Sequence, residues 1–157
     1  MVLEGFAAPY GVGIHADPRG LTLRVGAFGP VEYQRDVYLT MNHNKLDASI
    51  SRPSGLANQM DGSLTVARGD FAGIPGITFR AHLSSRHDRW IRLLRDEMAA
   101  ARFQTLGCSV SWLPVEQSGA MVVSAELRHI SLCVCGEVPA FGCTWASEDA
   151  GQGGVWL

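Results

Sequence analysis

Turn-forming residues recur about every ten positions along this chain, and no other feature limits its fold so strongly. The sequence holds 18 glycines and 7 prolines. They punctuate it at Pro9-Tyr10-Gly11, Asp17-Pro18-Arg19-Gly20, Gly29-Pro30, Arg52-Pro53-Ser54-Gly55, Asp61-Gly62 and Gly73-Ile74-Pro75-Gly76. Short apolar or alternating runs lie between these turns, which predicts many short strands. The runs are Leu3 to Ala8, Leu21 to Val25, Val37 to Met41, Ser63 to Ala67, Ile77 to Leu83, Cys108 to Leu113, Met121 to Arg128 and His129 to Val134. The last two abut and read as one continuous or bulged strand. Asp61-Gly62 predicts a hairpin that folds Ala57 to Met60 back onto Leu64 to Val66.

One segment breaks the pattern. Ser84 and Ser85 are N-cap candidates, and Asp88 adds a carboxylate to a first helical turn. Trp90, Ile91, Leu94, Met98 and Ala101 then share one face of a helix. Arg92 and Asp96 are spaced to pair along it, and Gly107 supplies a stop. A shorter helical turn is expected from Pro30 through Glu32 to Arg35. The fold class is therefore β-rich α+β. We expect a bent sheet or small β-barrel with one principal helix over about 85–105, which leaves few long strand edges. Residues 1–147 read as one domain and 148–157 as a flexible tail.

Composition removes several functions. A net charge of −2 gives no electrostatic reason for nucleic-acid binding. The apolar runs are too short to span a bilayer. The opening Met-Val-Leu-Glu-Gly-Phe lacks a basic region and an apolar signal core, so no secretion is expected. Cys108, Cys133, Cys135 and Cys143 are then thiols and small buried hydrophobes. Cys133-x-Cys135 has the wrong spacing for a zinc knuckle, so no metal or cofactor is expected.

The residues that can carry chemistry are few. His15 and His87 read as surface residues, and His82 as a structural histidine within a strand. His43 stands at the end of an apolar strand, in Met41-Asn42-His43-Asn44, where a scaffold positions catalytic side chains. His129 lies inside an apolar strand, where a titratable group needs a partner. Ser109 follows Gly107-Cys108 and starts a strand immediately after the helix. Serine becomes a nucleophile when a neutral histidine takes its proton and a third group orients that imidazole. Ser109, His43 and His129 would complete such a set, and Glu126 is the alternative third member.

Five blocks, in order, resemble the phage prohead (capsid maturation) protease family, which shares a fold with herpesvirus assemblins. Glu4-Gly5-Phe6-Ala7 is similar to the opening strand E-G-[YF]-A, and Val25-Gly26-Ala27-Phe28 to P-G-A-F. Leu39-Thr40-Met41-Asn42-His43-Asn44 resembles the strand ending in N-H-[DN]. Gly107-Cys108-Ser109-Val110-Ser111-Trp112 resembles G-x-S-[IV]-G-F. Ala125-Glu126-Leu127-Arg128-His129-Ile130-Ser131-Leu132 resembles A-[DE]-L-x-E-[VI]-S-L. The resemblance runs from about Glu4 to about Ala146.

It implies that His43 is the general base and Ser109 the nucleophile. Many phage members carry an acid where this chain has His129, but His129-Ile130-Ser131-Leu132-Cys133 looks like the assemblin H-V-[AS]-L-C run. A Ser-His-His triad is the carry-over. Ser111 replaces a small glycine and is a decoy nucleophile. Gly136-Glu137-Val138 departs from the assemblin G-R-R that builds the oxyanion hole. The implied activity is a serine endopeptidase, free of cofactors, that cleaves the scaffolding segment of a major capsid protein and itself inside the procapsid, in the host cytoplasm. The same resemblance implies self-association as a homo-oligomer. A catalytically silent capsid-assembly or scaffold module of the same fold is the alternative.

Overall fold

A computed structural model describes residues 1–14, 17, 19–45 and 55–149. His15, Pro18, the Arg52-Pro53-Ser54 part of one predicted turn and residues 150–157 of the predicted tail lie outside the described residues. The described residues form nine strands and one α-helix. The strands are β1 Val2–Pro9, β2 Thr22–Leu23, β3 Tyr38–Met41, β4 Ala57–Asn58, β5 Leu64–Phe71, β6 Ile74–His82, β7 Cys108–Ser118, β8 Met121–Leu132 and β9 Trp145–Glu148; α1 is Asp88–Ala100. A 3-10 turn at Val31–Tyr33 matches the short helical turn expected there.

This is a β-rich α+β fold. The strands make two open sheets. One runs β5-β6-β1-β9, and the other contains β2, β8, β3 and β4 with β7 on the far side of β8. The barrel that the sequence allowed is not closed. A two-way backbone bridge between Leu106 and Ala146 joins the sheets at one place. Elsewhere β4 gives only two residues to its ladder before the chain leaves for the other sheet. That departure corrects the predicted hairpin. The Asp61-Gly62 turn forms, with Asp61 and Ser63 bonded back to Asn58, but β4 pairs with β3 while β5 pairs with β6. The true hairpin there is β5–β6, closed by Ala72 and Gly73 with φ of 51° and 81°, the left-handed pair that matches strand twist. Ile74-Pro75-Gly76 therefore belongs to β6 rather than to the turn.

The helix is shorter than its pattern. Its last residue is Ala100, and Ala101 is extended, so Gly107 does not stop it. Ser84 precedes a 3-10 turn at Ser85–His87, but its hydroxyl makes no cap bond. Ile91, Leu94 and Met98 are the buried face, with Trp90 partly buried beside them. Arg95 rather than Arg92 makes the helix's ion pair among the described residues, to Glu148 at 2.7 Å. Glu148 thus ends a strand rather than beginning a tail, and the Asp149 N–H continues the pairing onto Val2 O at 2.8 Å.

Gly107 has another job. A Cβ there would lie 2.7 Å from the Pro139 ring. Gly5 is tighter still. A Cβ at Gly5 would meet the Trp145 carbonyl oxygen at 2.1 Å and the Phe79 ring at 2.8 Å. The close packing of β9 against β1 is why Gly sits in Glu4-Gly5-Phe6-Ala7. Gly5→Ala should destabilise the fold by about 1–3 kcal/mol, the usual cost of overpacking. Thermal melting reads this as a Tm lower by several degrees.

Candidate active site

The site rests on three adjacent strands. β8 pairs in parallel with β3, matching Tyr38 to His129 and Thr40 to Ser131. On its other side β8 pairs antiparallel with β7, matching Ser109 to Ser131 and Ser111 to His129. Residues directly opposite share a face, with Cβ atoms about 5 Å apart. One face of this trio therefore carries Tyr38, Thr40, His129, Ser131, Ser109 and Ser111 together. The alternate positions Leu39, Met41, Ile130, Leu132 and Val110 are buried apolar residues. These strands thus alternate buried apolar residues with a face of buried polar ones, Thr40, Ser109, His129 and Ser131.

His43 reaches this face from an unusual backbone. Asn42, His43 and Asn44 have φ of 44°, 55° and 66°. Three successive side-chain-bearing residues are left-handed, at a cost of about 1–2 kcal/mol each. Asn and His tolerate this region better than most residues, which accounts for the composition of Asn42-His43-Asn44. The turn is held at every residue. The Asn42 side chain both donates to Val134 O and accepts from Val134 N, each at 2.9 Å. It thereby continues the β3–β8 ladder with a side-chain amide. The His43 N–H donates to Ser131 Oγ at 2.7 Å. Thr40 Oγ1 donates to Asn44 Oδ1.

The two predicted histidines meet. His43 Nδ1 and His129 Nε2 are 2.7 Å apart, with ring centroids separated by 5.0 Å. The Tyr38 ring backs His129 at 5.1 Å. Because Nδ1 of His43 is committed to His129, Nε2 is its remaining nitrogen. For Nε2 to accept a proton, Nδ1 carries the hydrogen and donates to His129 Nε2. Burial, then the Lys45 ammonium, push His43 below the ordinary imidazole value of 6.5, and Glu137 pulls the other way. Lys45 and Glu137 are themselves paired at 3.0 Å. The His43 ring is therefore held neutral near pH 7.

Ser109 is buried on the same face, directly across from the serine that holds His43. Among the described residues no hydrogen bond joins Ser109 Oγ to His43, whose backbone and ring bonds go to Ser131 and His129. Ser111 sits opposite His129. Glu126 lies elsewhere: it is exposed and faces Arg128 at 3.5 Å. Of the other histidines, His82 is exposed on β6, against the structural role expected for it. His87 is half-buried and accepts from Arg86 at 3.1 Å. All four cysteines are free thiols, but Cys135 is exposed rather than buried. Burial pushes the Cys133 thiol up to about 11 and Cys108 higher still, so neither supplies a thiolate at neutral pH. No three potential metal ligands cluster among the described residues.

The segment that departs from the assemblin G-R-R run is a tight turn. Cys135 and Gly136 have φ of 54° and 82°, and Glu137 N donates to Val134 O at 3.1 Å. A groove of about 540 Å³ borders β7 through Val110 and Trp112, with Leu21 and Ala140 as further apolar walls and Asp17 and Arg19 lining its polar side. Asn42, Ser131 and the Lys45–Glu137 pair escaped sequence reasoning. The two asparagines flanking His43 were the available signal, since Asn is the residue that most readily follows a left-handed path. Compared with protein-family models, curated proteins and solved structures, the chain finds no match.

The His43 environment predicts its titration. Its folded-state pKa lies below its unfolded one, so the unfolded chain takes up the proton first as pH falls. This contribution to stability is full above the ordinary imidazole value and is lost as pH falls below it. A histidine NMR titration should place the His43 midpoint below 6.5. Lys45→Ala should move that midpoint up, and Glu137→Gln should move it down.

Proposed function

We propose that this chain is a serine endopeptidase of the prohead-maturation kind, with Ser109 as nucleophile, His43 as general base and His129 as its orienter. The observation that carries it is the 2.7 Å contact between His43 Nδ1 and His129 Nε2, which leaves Nε2 free on a face shared with Ser109. In the first step Nε2 takes the Ser109 proton as Oγ attacks a peptide carbonyl. The histidine then gives that proton to the departing amine, leaving an acyl-enzyme. Water attacks the ester with His43 again as base. Ser109 Oγ must come within hydrogen-bond reach of Nε2, a contact that commonly tightens once substrate is bound.

The five sequence blocks support the rest of the proposal. The fold is of the assemblin and prohead-protease type. The substrates are the scaffolding segment of a major capsid protein and the protease itself, cleaved within the procapsid in the host cytoplasm. A neutral histidine orients the base without contributing a full negative charge. Slow turnover follows, which suits an enzyme that acts once per capsid.

A silent assembly module remains the second reading. Two observations favour it: the missing Ser109–His43 hydrogen bond, and an acid at Glu137 where assemblins have arginine. A fluorophosphonate separates the two. Intact-mass spectrometry should show one adduct on the wild-type protein, mapped to Ser109 and absent from His43→Ala. Folded wild-type protein that takes no adduct would establish the silent module.

A further inference from the structure

We propose that Ser131 is a positioning residue for His43: its hydroxyl, on the strand between the nucleophile and the base, sets where the His43 ring meets His129. The proposal rests on the protease reading for its consequence in activity, but not for its geometry. Ser131 is fully buried. It stands in register between Ser109 on β7 and Thr40 on β3. Its Oγ accepts the His43 N–H at 2.7 Å. A buried backbone N–H requires a partner, and the partner here is two residues along β8 from the imidazole that the ring itself contacts. Backbone and ring of His43 are thus tied to the same strand, at Ser131 and His129.

The Asn42 clamp does not replace this contact. Asn42 fixes the residue before His43 to Val134. The dihedrals of His43 lie beyond that anchor, in a region the chain does not enter without compensation. The Ser131 bond restrains the backbone of His43 itself, as the His129 bond restrains its ring. A shift of about 1 Å in a catalytic group is enough to cost roughly a hundredfold in rate.

The test uses the full chain labelled with ¹⁵N-histidine. In wild type, His43 should show a single tautomer with a slowly exchanging Nδ1–H proton. Ser131→Ala should remain folded by circular dichroism, yet lose that protected proton and label Ser109 with fluorophosphonate about 10- to 100-fold more slowly. Ser131→Thr, which keeps the acceptor, should restore both to within a few-fold. Should the alanine variant not fold, Ser131→Cys keeps the bulk with a weak acceptor and should show the same losses. A folded Ala or Cys variant with an unchanged His43 signature and labelling within twofold of wild type overturns the proposal. If wild type takes no label at all, the protease reading fails. The NMR comparison then still decides whether Ser131 positions His43.

Discussion

If the proposed protease function holds, Ser109→Ala should leave a co-expressed major capsid protein at full length, while the wild-type chain should trim it to one defined product. Intact-mass spectrometry of the capsid protein reads the difference directly. Loss of the nucleophile in a serine hydrolase removes at least about 10³-fold of the rate, so no product is expected on the timescale of expression. The substitution deletes one hydroxyl from a buried strand position that is small already. Melting should therefore stay within a few degrees of wild type. That separation of activity from stability is the point of the experiment. Continued trimming by Ser109→Ala would disqualify Ser109, and Ser111, opposite His129 in the β7–β8 register, would be the next serine to replace.

His129 is expected to give the second largest effect. His129→Ala should slow both processing and fluorophosphonate labelling by about 10²-fold. The His43 ring would lose the contact at Nδ1 that selects its tautomer. The more telling variant is His129→Glu. A carboxylate accepts the same Nδ1–H and also stabilises the imidazolium formed in the reaction, so activity should recover to within about tenfold of wild type. It should also raise the His43 midpoint, because a nearby negative charge favours the protonated ring. Equal activity of the Ala and Glu variants would sink the orienting role of His129.

The parts of this site that the sequence revealed share one property: their signals are local. His43 stood out because an apolar strand ended in Asn42-His43-Asn44, and His129 because a titratable ring interrupted an apolar run. Their contact then followed from the β3–β8 pairing. The β7–β8 strands were legible for the same reason, and the continuous or bulged strand expected from Met121 is β8, whose ladder with β7 shifts register at Ser111/Trp112 and beyond. What stayed hidden depends on distant partners. Trp145–Glu148 became a strand only because Gly5 lets it pack against β1. Ala101 to Gln104 look helical by propensity, yet the chain abandons the helix and soon bridges Leu106 to Ala146. Ala57-Asn58 was assigned to the wrong partner because a turn signal specifies a reversal, not which ladder each arm joins. Ser131 reads as an ordinary strand serine until His43 is placed beside it.

The span between those partners has a kinetic meaning. His43 and His129 are 86 residues apart in the chain, and the Asn42–Val134 clamp closes over 92. Contacts of such separation form late, because the ordering of the intervening loop precedes any reward for closing it. During synthesis the chain emerges from its N-terminal end. β7 and its serine are therefore synthesised before His129, Ser131 and Val134. A nascent chain at that stage has a hydroxyl and an imidazole but no scaffold to bring them onto one face. Docking of β8 against β3 is the event that creates the constellation. Any hydrolytic competence would thus appear only when β8 docks, so a chain that has not yet made that contact carries no assembled site with which to attack itself.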